Sequence, residues 1–230
     1  MIGYFDYTVW LTYLSLVSAV VGIFVSMAGA GHPYIGAIFL LLSGLCDAFD
    51  GMVARTKKDR TLMQKQFGIQ IDSLTDLVAF GVLPACIGAA LYKSMLLLEP
   101  RPEQAVVIAV PYGVYVAVFA VYVLAAMVRL AYFNVTAEES SKTGRTLTSY
   151  TGLPVTSAAL IFPVFLLLRH LMGRDIAIFY YGVMLLLAGL FVSRFSMRKP
   201  GLRGVLILVG IGVMEFILIM VVKYYGARVF

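Results

Sequence analysis

The chain has very little of what disulfide-stapled or thiolate-bound proteins are built from, with two cysteines and two histidines in 230 residues. Cys46 and Cys86 both fall inside apolar stretches and share no paired spacing, so neither a disulfide nor a cysteine metal site is expected and both read as packing residues. His32 and His170 fall in expected loops far along the chain from the acidic residues discussed below, which argues against a metal role for either. Charge is also scarce. Only 13% of residues are charged and 61% are hydrophobic, and the mean hydropathy is +0.94; a water-soluble globule is excluded on those grounds. The opening Met1-Ile-Gly-Tyr-Phe-Asp6 lacks a basic segment before the first apolar run, so no cleaved signal peptide is expected. No repeat relates the two halves, and no connection is long enough for a soluble domain. A single membrane-embedded domain over 1–230 is the economical expectation.

What is present is a series of apolar stretches of membrane-spanning length, which takes about 20 residues as a helix. Seven can be placed, at about 8–30, 33–54, 70–96, 105–133, 152–171, 175–193 and 203–223. The expected fold is therefore all-α, a polytopic transmembrane bundle of about seven spans. The net charge of +6 does not follow one amphipathic face, so nucleic acid is not an expected partner. It collects in loops: Arg55, Lys57, Lys58, Arg60 and Lys65; Lys142 and Arg145; Arg194, Arg198, Lys199 and Arg203. With seven crossings these loops share one side, cytoplasmic by the positive-inside rule, where membrane lipids with anionic headgroups are natural neighbours. Trp10 and many of the Tyr and Phe residues read as lipid contacts and interfacial anchors.

The informative residues are ionisable groups where a bilayer makes them costly. The second span ends in Asp47-Ala-Phe-Asp50-Gly51-Met-Val-Ala54-Arg55, and the third begins Gly68-Ile-Gln-Ile-Asp72-Ser-Leu-Thr-Asp76. At 100° per residue, Asp47, Asp50, Gly51, Ala54 and Arg55 project within a sector of about 140°, while Gly68, Asp72 and Asp76 are successive steps of four. Each set forms a stripe, and two antiparallel helices joined by a short loop would turn the stripes toward each other. Four carboxylates so close cannot all stay ionised without cations. Hard oxygen ligands suit Mg²⁺ or Mn²⁺ and leave room for a diphosphate, and the small residues would let a nucleotide approach the helix backbones. Arg55 could reach a phosphate or the nucleotide.

The pattern Asp47-x2-Asp50-Gly51-x2-Ala54-Arg55, followed by Gly68-x3-Asp72-x3-Asp76, resembles the signature of the CDP-alcohol phosphatidyltransferases. The family usually places eight or nine residues between the Arg and the second Gly; here twelve intervene, Thr56 to Phe67, and the excess is expected to lie in the basic loop. The resemblance implies a six-helix catalytic core and a homodimer. It also implies that Asp47, Asp50 and Asp72 bind metal, that Asp76 is a further ligand or neighbour of the metals and the general base, and that Gly51, Ala54, Arg55 and Gly68 shape the CDP site. The hydroxyl of an alcohol would then attack the phosphorus nearest the lipid and expel CMP. Three stretches resemble the serine-transferring branch: Asp72 to Ala85, Arg129-Leu-Ala-Tyr-Phe-Asn134-Val, and Tyr150-Thr-Gly-Leu-Pro-Val-Thr156. CDP-diacylglycerol and L-serine are the substrates so implied, with glycerol 3-phosphate or an inositol phosphate as the alternative acceptor.

Between those stretches lies a polar segment, expected as a cytoplasmic loop, that carries Thr136, Glu138, Glu139, Ser140, Ser141, Lys142 and Arg145. Serine needs partners for its carboxylate and its ammonium, which Arg129, Lys142 or Arg145 with Glu138 or Glu139 could supply. Arg129, near the end of a span, either meets such a ligand or snorkels to the interface. Thr8 and Thr12 could offer hydroxyls to the nucleotide. Glu215, alone in the seventh span, reads as a bundle-facing or subunit-facing group with a polar partner. The competing reading from another class is an ion-coupled transporter, whose acids would mark a proton or Na⁺ path. It does not require Gly51, Ala54, Arg55 and Gly68 at these offsets, and it favours acids nearer mid-membrane.

Overall fold

The computed structural model describes residues 2–29, 31–97, 111–142, 149–172, 177–198 and 201–226. Over these residues the chain is an all-α bundle. Helix α1 covers Trp10–Met27 and α2 Pro33–Thr56; α3 (Leu62–Asp76) runs through a π-helical turn, Leu77–Val82, into α4 (Leu83–Leu97) as one rod. Then follow α5 (Tyr112–Lys142), α6 (Ala158–Met172), α7 (Ala177–Val192) and α8 (Leu202–Gly226). Five of these rods are long and apolar enough to cross a membrane, and α6 and α7 are shorter apolar helices. The protein is an integral membrane protein. Besides helices there is one short antiparallel pairing, β1 (Ser149–Thr151) with β2 (Ser196–Arg198).

Helices α1 and α2 meet through small residues and hydroxyls, as suits a contact between helices that gain nothing by escaping water. Ser15 and Ser43 each donate to the other's backbone carbonyl, at 3.3 and 3.1 Å, and Ser18 donates to the carbonyl of Phe39 at 3.0 Å. A Cβ at Gly22 would lie 2.7 Å from that of Phe39, and one at Gly36 would collide with the Ser26 hydroxyl. The same close approach recurs at Gly44, where an added Cβ would stand 2.7 Å from the Cβ of Ala159 on α6. These contacts hold the first half of α2, ahead of its acidic face, in register against α1 and α6.

The α3–α4 rod owes its π turn to proline. Pro84 has no N–H, so the carbonyl of Phe80 loses the donor four residues on, a loss that hydrocarbon cannot make good. The bond from Leu83 N reaches back five residues to Val78 O, and the Phe80 carbonyl takes the hydroxyl of fully buried Tyr122 on α5 instead, at 2.7 Å. Tyr180 and Tyr181 of α7 donate in the same way to the carbonyls of Pro84 and Gly88, at 2.8 and 3.1 Å. Their rings belong to an aromatic core with Tyr115, Phe162 and Phe191. Asp76 is the last residue before this π turn.

Three expectations need correction. Helix α5 does not stop at 133 but continues to Lys142, because Ala, Glu, Ser and Lys carry it on and no glycine or proline intervenes before Gly144. The segment from Thr136 to Lys142 is thus helix rather than loop; Arg145 and the start of the expected fourth span lie outside the described residues. Second, of the twelve residues between Arg55 and Gly68 only Lys57–Thr61 are non-helical. Thr61 starts α3 in a reciprocal cap with Gln64, so most of the excess length is helix. Third, Glu215 is 2% exposed, yet neither carboxylate oxygen has a hydrogen-bond partner among the described residues.

The repair of the Phe80 carbonyl predicts a coupled pair. Tyr122→Phe should cost about 1–2 kcal/mol by leaving that carbonyl unsatisfied, read as a lower unfolding midpoint in detergent. With Pro84→Ala as well, the new N–H can serve the carbonyl and the tyrosine should matter much less; strictly additive losses would contradict this account.

Candidate active site

The lower ends of α2 and α3 bring the two stripes together. One carboxylate oxygen from each of Asp47, Asp50 and Asp72 lies within 4.8 Å of the others. The carboxyl of Asp76, 8% exposed, adjoins that of Asp47, as Asp72 adjoins Asp50. Thr12, from α1, donates its hydroxyl to Asp50 at 3.1 Å, so the hydroxyl inferred for the nucleotide is turned to the acid cluster. Ser73, between Asp72 and Asp76, donates to the side-chain oxygen of Asn134 at 3.0 Å and fastens α3 to α5.

Among the described residues no basic side chain forms an ion pair with these acids; the Arg55 guanidinium acts on Asp50 without pairing with it. Three carboxylate oxygens drawn together from two helices, met at Asp50 by the Thr12 hydroxyl and the Gly51 backbone N–H, are a donor set that fits a hard divalent cation.

Beside the acids opens a cavity of about 550 Å³ lined by Thr8, Thr12, Asp50, Gly51, Ala54, Arg55, Gly68 and Asp72, with Lys57, Lys58, Arg60 and Lys65 at its basic wall. All four small or basic positions of the sequence pattern thus face one space with two of the acids. The cavity is of the size that holds a small-molecule substrate, about 300–1,000 Å³.

The family model for CDP-alcohol phosphatidyltransferases matches residues 7–195. The chain belongs to this family. Among curated proteins it is similar to the CDP-diacylglycerol–serine O-phosphatidyltransferase of Saccharomyces cerevisiae, 34% identical over 140 residues, which are 59% of this chain and 43% of the relative. The protein of the same name from Helicobacter pylori J99 is 29% identical over 181 residues, 76% of this chain and 65% of the relative. That from Mycobacterium leprae is 27% identical over 175 residues, 73% of this chain and 50% of the relative. The chain therefore spans between about two fifths and two thirds of the lengths of these relatives. No solved structure gives a significant match. In this chain α8 lies beyond the segment that the family model covers.

The acceptor residues inferred from sequence are more dispersed. Arg129 is 5% exposed; its Nε donates to the carbonyl of Leu153 at 3.0 Å and its guanidinium lies 5.8 Å from the centre of the Phe133 ring. It does not snorkel. The Leu153 carbonyl is held in place by the neighbouring turn: Gly152, at φ +77°, donates to Phe195 O at 2.6 Å, and Leu153 N donates to Leu190 O. Arg129 thereby ties α5 to the Tyr150–Thr156 stretch. Glu138 and Glu139 are exposed on the last turns of α5; Lys142 ends that helix, and Arg145 is outside the described residues.

Sequence reasoning missed the segment before α1. Asp6 binds Lys57 at 2.9 Å and accepts from the backbone N–H of Thr8 at 3.0 Å and from its hydroxyl. Tyr7 meets Thr56, and Tyr4 packs edge-on against Phe67 at 5.2 Å. The segment is thus clasped to both sides of the α2–α3 connection. The Thr8 hydroxyl, then Lys57, pull the Asp6 carboxyl down from 3.8 to about 2, while Asp6 raises the pKa of Lys57. The signal was available as Asp6-x-Thr8 before a helix, a turn-forming pattern.

Two outcomes are expected. Mn²⁺ should raise the unfolding midpoint of the detergent-solubilised protein, by about 2.7 kcal/mol at a hundredfold excess over Kd, and Asp50→Asn should abolish the shift; an undiminished shift would place the metal elsewhere. Because the Asp6 carboxyl is depressed, its clasp is complete above pH 3.8 and is lost as pH falls through about 2. Trp10 is the only tryptophan and donates to Phe5 O at 3.0 Å, so its emission should report that loss. Asp6→Asn should show the opened emission already at neutral pH.

Proposed function

We propose that this protein transfers the phosphatidyl group of CDP-diacylglycerol to the hydroxyl of L-serine, giving phosphatidylserine and CMP. The observation that carries the reading is the meeting of the Asp47, Asp50 and Asp72 carboxylates at the edge of a cavity whose wall is Gly51, Ala54, Arg55 and Gly68. An oxygen-rich metal site next to a basic, close-approach surface suits a nucleoside diphosphate. The names of the three relatives favour serine over a phosphorylated acceptor. The cavity is walled by the basic connection Lys57, Lys58, Arg60 and Lys65, which supports a cytoplasmic-facing site by the positive-inside rule.

In this reading Asp47, Asp50, Asp72 and Asp76 hold Mg²⁺ or Mn²⁺, which when bound neutralises the diphosphate and stabilises the departing phosphate oxygen. Gly51, Ala54 and Gly68 admit the nucleotide to the helix backbones, Arg55 donates to it, and Thr8 closes the cavity from the N-terminal side. Asp76, the deepest of the acids, takes the proton of the serine hydroxyl. The serine oxygen bonds to the lipid-side phosphorus as the bond from that phosphorus to the CMP oxygen breaks. Arg129, Glu138, Lys142 and Arg145 remain the acceptor-side candidates. Arg129 acts there by holding the Leu153 turn against α5, and the others as charges on or beyond the last turn of α5.

The test is CMP release by purified protein in detergent with CDP-diacylglycerol and Mg²⁺ or Mn²⁺, offering serine, glycerol 3-phosphate and inositol phosphates in turn. Release stimulated by serine alone, and lowered by about three orders of magnitude or more in Asp76→Asn, is the expected result. Stimulation by another acceptor would move the reading within the family; no release with any acceptor would overturn it.

A further inference from the structure

The connection between α2 and α3 contains an arginine outside the family pattern. Arg60 sends Nη1 to the carbonyl of Ala54 and Nη2 to that of Gln64, each at 3.2 Å. Ala54 lies in the last turn of α2, where carbonyls have no helical partner, and Gln64 in the first turn of α3. The guanidinium is thus strung between the two helix ends that carry the acids. It sits directly over Gly68, where an added Cβ would be 2.7 Å from Nη2. The missing side chain at Gly68 is therefore room for Arg60 as well as for a ligand.

Both bonds go to neutral carbonyls, and the buried Nε has no partner. No carboxylate pairs with Arg60 among the described residues. A guanidinium that keeps its charge uncompensated while lining a cavity is arranged for an anionic or acceptor-rich ligand. Its position says which part of the ligand. Gly68 is four residues from Asp72, about 6 Å along the helix, on the side away from Asp76. With the diphosphate at the acids and the lipid toward the membrane, the nucleotide half must cross Gly68 to leave the site.

We propose that Arg60 is a substrate-contacting residue for the CMP half of the CDP-lipid, delivered by the lengthened α2–α3 connection. The inference rests on the reading of the site as a CDP-lipid site.

The experiment is binding of radiolabelled CMP, in the presence of Mg²⁺, to the full-length protein in detergent, alongside steady-state CMP release. Arg60→Ala should weaken CMP binding by about tenfold and raise the KM for CDP-lipid similarly, with the KM for the acceptor unchanged. Arg60→Lys keeps the charge but cannot bridge the two carbonyls, and should fall between. Arg60→Gln, which keeps a hydrogen-bonding arm but removes the charge, should reproduce the loss, covering the case in which Arg60→Ala does not fold. A purely structural brace would lower the unfolding midpoint and kcat while CMP affinity in Arg60→Lys stayed within about twofold of wild type; that result would overturn the proposal. Wild-type protein that neither binds CMP nor releases it would instead defeat the underlying reading of the site, so the two failures are separable.

Discussion

Hydrocarbon supplies no hydrogen-bond partner, and most of the specific features of this bundle answer that constraint. Serine hydroxyls on α1 and α2 close on each other's backbone carbonyls. The Tyr122 hydroxyl from α5 covers the Phe80 carbonyl that Pro84 leaves bare, and buried Tyr180 of α7 places its own hydroxyl on the Pro84 carbonyl. The acids obey the same rule from the opposite side: a carboxylate at the end of a membrane helix must find a donor or a cation, and these four find each other. Gathering them is a large cost to the bundle, which a bound cation would offset. The scaffold is rigid ahead of the acids because small residues let α1, α2 and α6 lock backbone to backbone.

The acidic stripes were legible because helical spacing alone decides which residues share a face, and Asp47, Asp50, Asp72 and Asp76 keep that spacing without help from tertiary contacts. The apolar stretches were legible for a related reason, since length and composition suffice to identify them. Helix ends were not. The continuation of α5 past Asn134 puts charged residues on a helix with no apolar face to announce it, and hydropathy stops seeing a helix where the lipid stops. The α2–α3 connection misled for a similar reason, because basic residues there suggested loop while the Thr61–Gln64 cap extended the helix.

Other features depend on pairings between distant residues. That Pro84 would be answered by Tyr122 and Tyr180 requires knowing which helices are neighbours. Arg129 shows the limit most clearly: its burial was foreseeable from its position in a span, but its main-chain partner at Leu153 exists only because β1 and β2 bring the Gly152 turn beneath α5. Glu215 is the opposite case, a group whose expected polar partner is missing among the described residues.

The fastening ahead of α1 reaches beyond its own residues. Asp6 holds Lys57 at 2.9 Å, and Lys57 and Thr8 stand in the same cavity wall. A segment that supplies part of a wall and is tied to another part sets how wide the opening stands. Tension on the chain ahead of α1 would therefore be felt at the cavity mouth before it reached the helices.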